Sequence, residues 1–249
     1  MEELKKVLRL TAGVGEELIG CGAEISRVED TMNRIALHYG MTNRQIFIIA
    51  NGVFVNLEKG DYEKNVSIAH VPQINVDLSK LCDINTLSRD IEQKNLSIDE
   101  ALERFYKIKN NREKFVWSHI LASGIGAGAF CYLFGGDLMD CIGALLMGLL
   151  VWAFFIIVAK YNLSKVLLNI MGSFIVTAGC ILLAQVGLVH HLDQAIMGAI
   201  IPMIPGVAFT NGIRDIADGD YISGGIRLLD AVLIFICIAA GVCIALRLL

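Results

Sequence analysis

The chain has 249 residues, 55% of them hydrophobic, with mean hydropathy +0.60 and formal net charge −4. Soluble domains run nearer ~45–50% apolar, so a wholly water-soluble globule is excluded, and the acidic balance excludes a basic nucleic-acid binder. Residues 1–115 hold 16 of the 21 Lys+Arg and 18 of the 25 Asp+Glu, and residues 116–249 have no glutamate. This composition boundary predicts a cytoplasmic α+β domain over 1–115, followed by a transmembrane domain over 116–249.

The N-terminus has no apolar core next to a small-residue cleavage site, so no signal peptide is expected and the first domain is assigned to the cytoplasm. Leu4, Val7, Leu8, Thr11, Val14 and Leu18 recur at helical spacing. Gly20 and Gly22 break that rhythm. A second helix over "AEISRVEDTMNRIALHYG" places Ile25, Val28, Met32, Ile35, Ala36 and Tyr39 on one face, and Gly40 ends it. Glu24, Arg27, Asp30 and Arg34 form a charge ladder on the other face. That spacing fits a solvated face; the sharper reading is a polar site made by Glu24, Arg27 and Glu29 and facing the other half of the molecule.

The rhythm then changes. Two apolar stretches flank Asn51-Gly52, a hairpin signal, and "VSIAHVP" follows a Gly-Asp turn, which predicts three short antiparallel strands. Two helices complete the domain, the second opened by Ser97 and Glu100 as a capping box. That last helix runs toward the first span and would couple the two halves mechanically. His38 and His70 have no partner motif and read as structural. No phosphate loop, nucleophile elbow or metal cluster is evident, so neither enzyme activity nor a cofactor or metal is expected.

Five segments approach the ~20 apolar residues a spanning helix needs: Val116 to Phe134, Leu138 to Ala159, Val166 to Val189, Ala195 to Phe209 (short and broken) and Ile226 to Leu246. Five of the seven cysteines fall in these apolar runs and read as small hydrophobes; Cys21 and Cys82 stand alone, so neither disulfides nor a zinc site is expected. Basic loops alternate with loops lacking Lys and Arg. This places the N-terminus inside and the C-terminus outside, against the single opposing Arg247. Gly124 and Gly128, Ala144 and Gly148, and Gly172 and Gly179 have the small-xxx-small spacing of close helix packing. "GIGAGAF" follows no strand, so it reads as packing rather than a dinucleotide loop. Asp137, Asp140 and Asp193 are expected to be solvated at outer ends of spans, where His190 and His191 offer a pH-sensing reading.

"PMIPGVAFTNGIRDIADGDYISGGIR", residues 202–227, is the most informative stretch. Pro202 and Pro205 interrupt the fourth span, and Gly206 adds freedom. Broken backbone within a membrane is tolerated where it lines a protein cavity, as in many transporters. A glycine-rich charged loop is expected next, carrying Asn211, Arg214, Asp215, Asp218, Asp220 and Arg227. Asp230 is the only acid inside the fifth span. It reads either as an interfacial partner of Arg227 at i, i+3 or as a pathway charge.

"GAEISRVEDTMNRIA", "NLSIDEALE" and, above all, "GAIIPMIPGVAFTNGIRDIADGDYISGGIRLLDA" resemble the threonine/serine exporter family over nearly the whole chain. The resemblance implies secondary, ion-gradient-driven export of threonine, serine or a dicarboxylate such as succinate across the cell membrane, without ATP. Single-chain members carry a second set of spans, so the chain looks like the larger subunit of a split system with a small multi-span membrane partner; a homo-oligomer is also compatible. The family motif falls on Pro205, Gly206, Asn211, Arg214, Asp215, Asp218, Asp220 and Arg227, and on Glu24, Arg27 and Glu29. In that light Arg214 would meet a substrate carboxylate. Asp215 or Asp230 would take a proton or hold an ammonium, and Pro205-Gly206 would let the fourth span open and close. Two other classes compete: a membrane-tethered sensor or assembly scaffold working through the cytoplasmic domain, and a membrane-bound hydrolase using Ser223 and Asp220.

Overall fold

A computed structural model of the protein describes residues 2–59, 64–71, 76–111, 116–161 and 163–249. The expected Gly-Asp turn and the connection at 112–115 lie outside these residues. By packing, the chain divides into two units that interleave in sequence: Met1–Arg112 with Gly206–Leu229, and Glu113–Pro205 with Asp230–Leu249.

In the first unit, helices α1 (Glu2–Gly20) and α2 (Ile25–His38) precede strands β1 (Asn43–Ile49), β2 (Gly52–Glu58) and β3 (Lys64–His70), then α3 (Leu78–Lys94) and α4 (Ile98–Asn110). The strands form an antiparallel sheet in the order β1-β2-β3. Val53, Val55 and Leu57 alternate inward from β2 and meet Leu10, Val14, Met32 and Phe105 in one core. The opposite face carries Phe47, Phe54 and Ile68, paired across the strands and exposed. The hairpin turn is Ala50-Asn51, one residue before the expected dipeptide. Gly52 is drawn into the ladder because it pairs on both sides, with Ile49 and His70. The capping box at Ser97 and Glu100 forms as expected, and Asp77 caps α3 through the Lys80 N–H at 2.8 Å.

The second unit contains α5 (Val116–Leu133), α6 (Leu138–Val158), α7 (Lys165–Gln185), α8 (Leu192–Ile200) and the later part of α10 (Tyr221–Leu248). Its core joins Cys131, Ala144, Met147, Val176, Cys180, Ala195 and Ile238. A Cβ on Gly148 would lie 2.8 Å from the Ser123 carbonyl oxygen, so α5 and α6 touch backbone to backbone, the packing use expected of the "GIGAGAF" region. Among the described residues three helices are long and apolar enough to cross a membrane, in the segments Leu138–Tyr161, Lys165–Gln185 and Tyr221–Leu248. A fourth span is present if Leu192–Met203 and Gly206–Ala217 count as one interrupted helix. The interruption lies where the sequence puts its prolines. A 3-10 turn over Ile201–Met203 ends at Ile204, whose ψ of 126° is extended, and α9 (Gly206–Ala217) starts after Pro205.

Candidate functional site

The charged stretch after the break is not a loop. It folds as α9, a three-residue turn Asp218-Gly219-Asp220, and the start of α10. Asn211, Arg214 and Asp215 are spaced i, i+3, i+4 and share one helix face. Gly219 ends α9 at φ 93°, and the Asp220 N–H returns to the Asp215 carbonyl at 2.8 Å. Asp220 then accepts the Ser223 N–H at 3.1 Å and starts α10. The two helices form a tight hairpin: a Cβ on Gly224 would sit 2.6 Å from the Gly212 carbonyl oxygen.

This hairpin grips the turn between α1 and α2, within the first unit. That turn uses the same geometry, with Gly22 at φ 80° and the Ala23 N–H bonded to the Leu18 carbonyl at 3.0 Å. Asn211 Nδ2 donates to the Gly22 carbonyl at 2.8 Å and Arg227 Nη2 to the Ala23 carbonyl at 2.7 Å. The Ile25 N–H donates to Asp215 Oδ1 at 3.2 Å. Arg214 Nη1 pairs with Glu24 Oε1, which Arg27 Nη2 also approaches at 3.7 Å. Behind these contacts Arg227 Nη1 and Asp215 Oδ2 lie 2.9 Å apart, with side chains 5% and 1% exposed.

The helix start explains the arrangement. The first N–H groups of a helix lack partners inside it. Glu24 occupies the N-cap position of α2 but makes no capping hydrogen bond; Asp215 caps the helix from a distant part of the chain. Burying a charge pair costs several kcal/mol per ion before pairing. Here the pair is used to fix two helices and a turn in one geometry, with Asp215 Oδ1 and Arg227 Nη2 engaged by backbone. Cys21, at the edge of the turn, is buried, and burial pushes its thiol up to about 11.

The expected site residues therefore divide. Glu24, Arg27, Asn211, Arg214, Asp215 and Arg227 come together, and Asp220 starts the helix behind them. Asp218 and Glu29 are exposed, Pro205 is half-buried at the break, and Gly206 opens α9. Asp230 does not join and does not pair with Arg227. It lies 3.5 Å from Lys165, because the Arg227 side chain is committed to Asp215 and Ala23. Sequence reasoning missed the backbone partners at Gly22, Ala23 and Ile25; the only trace was the nearness of Gly22 to the Glu24/Arg27 motif.

A second polar cluster lies in the second unit. Asp140, expected in solvent, is wholly buried. Its Oδ1 accepts the N–H groups of His190 and His191 at 2.6 and 2.9 Å, and its Oδ2 meets His191 Nδ1 at 2.8 Å. Asp137 caps α6 through the Asp140 N–H at 2.9 Å and meets His190 Nδ1 at 2.6 Å. Asp137, Asp140 and His190 form the one group among the described residues with ligand atoms close enough, within 4.8 Å, to hold a metal ion. Their hydrogen bonds tie the α7–α8 connection onto the start of α6.

The chain is 24% identical over 253 residues to a threonine/serine exporter of Corynebacterium glutamicum, covering 97% of this chain and 51% of that protein. It is 22% identical over 235 residues to pheromone-regulated membrane protein 10 of Pichia sorbitophila, covering 89% of this chain and 23% of that one. It thus spans about half or less of the length of these relatives. No solved structure matches it. The family described as "Putative threonine/serine exporter" matches residues 9–249, a range that includes the α1–α2 turn, the interrupted helix and the charged hairpin. The chain is a membrane protein and belongs to the threonine/serine exporter family.

Proposed function

We propose that the chain is one component of a secondary exporter that moves a small polar carboxylate, threonine, serine or a dicarboxylate such as succinate, out of the cytoplasm on an ion gradient. In this reading it sits in the cell membrane with five spans and a cytoplasmic N-terminus, and works with a small multi-span companion subunit. One observation carries the reading. The exposed guanidinium of Arg214 stands beside the buried Asp215–Arg227 pair, on a hairpin that directly follows a helix broken at Pro205. A planar guanidinium binds a carboxylate through two parallel hydrogen bonds. The buried pair holds α9 so that Arg214 is presented in a fixed position, and Pro205-Gly206 is the point where the fourth span would open and close.

The test is Arg214→Ala in cells expressing the chain with its companion, following efflux of threonine, serine and succinate. Efflux at wild-type rate from cells with normal protein levels would sink the carboxylate assignment. The sensor or scaffold reading has one observation in its favour: Asn211 and Arg227 spend their side chains on backbone carbonyls of the α1–α2 turn. It predicts that foreign spans can replace the native ones without loss of activity.

A further inference from the structure

Glu24 is placed oddly for a structural ion pair. Its side chain is 15% exposed, whereas the two arginine side chains that converge on its Oε1, those of Arg27 and Arg214, are 50% and 57% exposed. Among the described residues it is the only carboxylate that either arginine meets. It also stands at the N-cap of α2 without capping it, because Asp215 bonds the Ile25 N–H. The carboxylate can leave Arg214 and the helix keeps its cap. Two exposed guanidiniums on different helices, held by a buried charge pair and sharing one carboxylate oxygen, have the chemistry of a small-carboxylate site occupied from within the chain.

We propose that Arg27 and Arg214 together seat the carboxylate of the exported molecule, and that Glu24 fills this seat when the molecule is absent. This rests on the exporter reading above and adds to it a second binding residue and an internal competitor. A ligand carboxylate must displace Glu24, so Glu24 lowers apparent affinity and favours release once the ligand has moved on. The class that fits is a small carboxylate reaching both guanidiniums, a hydroxy-amino acid or a short dicarboxylate.

The experiment is calorimetric titration of the purified full chain in nanodiscs with L-threonine and with succinate, for wild type, Glu24→Gln, Arg27→Gln and Arg214→Gln. Glu24→Gln keeps the size and removes the charge. It should bind the preferred probe about fivefold more tightly, the equivalent of about 1 kcal/mol, the upper range for an exposed ion pair. Arg27→Gln should bind several-fold more weakly, and Arg214→Gln more than tenfold more weakly. If both arginine variants weaken binding while Glu24→Gln leaves it unchanged or weaker, the competitor role is overturned and the exporter reading stands. If Arg214→Gln binds normally, or wild type binds neither probe at millimolar concentration, the carboxylate assignment of Arg214 falls and this inference with it. Glu24→Asp, which withdraws the carboxylate by one methylene, should shift affinity in the same direction as Glu24→Gln. Because Glu24 is dispensable to the fold in this account, failure of both Glu24 variants to give folded protein also overturns it.

Discussion

The carboxylate of Asp215 caps helix α2 at Ile25, a residue 190 positions earlier in the chain, while its other oxygen lies 2.9 Å from Arg227. Removing either charge leaves the other buried without compensation, which costs about 3–5 kcal/mol. Asp215→Asn and Arg227→Met should each lower stability by that order, and the double variant by less than the sum. Denaturant titration in detergent measures the cycle, and strict additivity would show that the pair does not act as a unit.

Two adjacent glycines of α10 should behave oppositely. A Cβ on Gly224 meets the Gly212 carbonyl oxygen and the Ile216 backbone nitrogen at 2.6 and 2.9 Å, whereas one on Gly225 meets nothing within 4 Å. Gly224→Ala should cost about 1–3 kcal/mol because backbone cannot move aside cheaply. Gly225→Ala should be neutral, or stabilising by up to about 1 kcal/mol through helix propensity. Melting temperatures of the two variants give the comparison.

The tie between the α7–α8 connection and α6 should depend on pH. The hydrogen bond to Asp137 raises His190 above its usual 6.5. The backbone hydrogen bond from Asp140, and then His190, lower Asp137 below its usual 3.8. A raised histidine contributes fully below about 6.5 and loses that contribution as pH rises through its higher folded value. A lowered carboxylate contributes above about 3.8 and loses it as pH falls through its lower folded value. Protection of the His190 and His191 amides against hydrogen exchange should therefore be greatest between about pH 4 and 6.5. Above that range it should decline in wild type, and in His190→Gln the decline should vanish. Flat protection factors from pH 5 to 8 in wild type would refute the assignment.

Thiol labelling offers a simple check of the first unit. Cys21 is buried, with its thiol pushed up to about 11, and Cys82 is exposed. At neutral pH a water-soluble maleimide should modify Cys82 and leave Cys21 untouched until the protein is denatured. Mass spectrometry of the tryptic peptides reads the outcome.

What could be read from the sequence was what repeats locally. The hairpin around Asn51-Gly52, the Ser97/Glu100 box and the break at Pro205 all depend on neighbours within a turn or a strand pair. Composition made the run after Pro205 look like a charged loop. Helix face and length decided otherwise, because Gly212 and Gly224 let two helices close on each other. The i, i+3 rule joined Asp230 to Arg227, but a guanidinium with a buried carboxylate and a carbonyl on offer goes to those instead. Asp140 failed for a related reason: helix starts collect N–H donors, and a carboxylate that satisfies several can be buried. The grip of Asn211 and Arg227 on Gly22 and Ala23 leaves no periodic trace, since backbone carbonyls carry no residue identity.

The interleaved order of the first unit has a consequence for how the protein is made. Its N-terminal strands and helices leave the ribosome early, yet the hairpin that clasps their turn arrives only with residues 206–229. Throughout the intervening synthesis the Gly22 and Ala23 carbonyls and the Ile25 amide wait for their partners. A fragment ending near residue 111 would leave that seam open for good, and a nascent chain depends on its last third to close it.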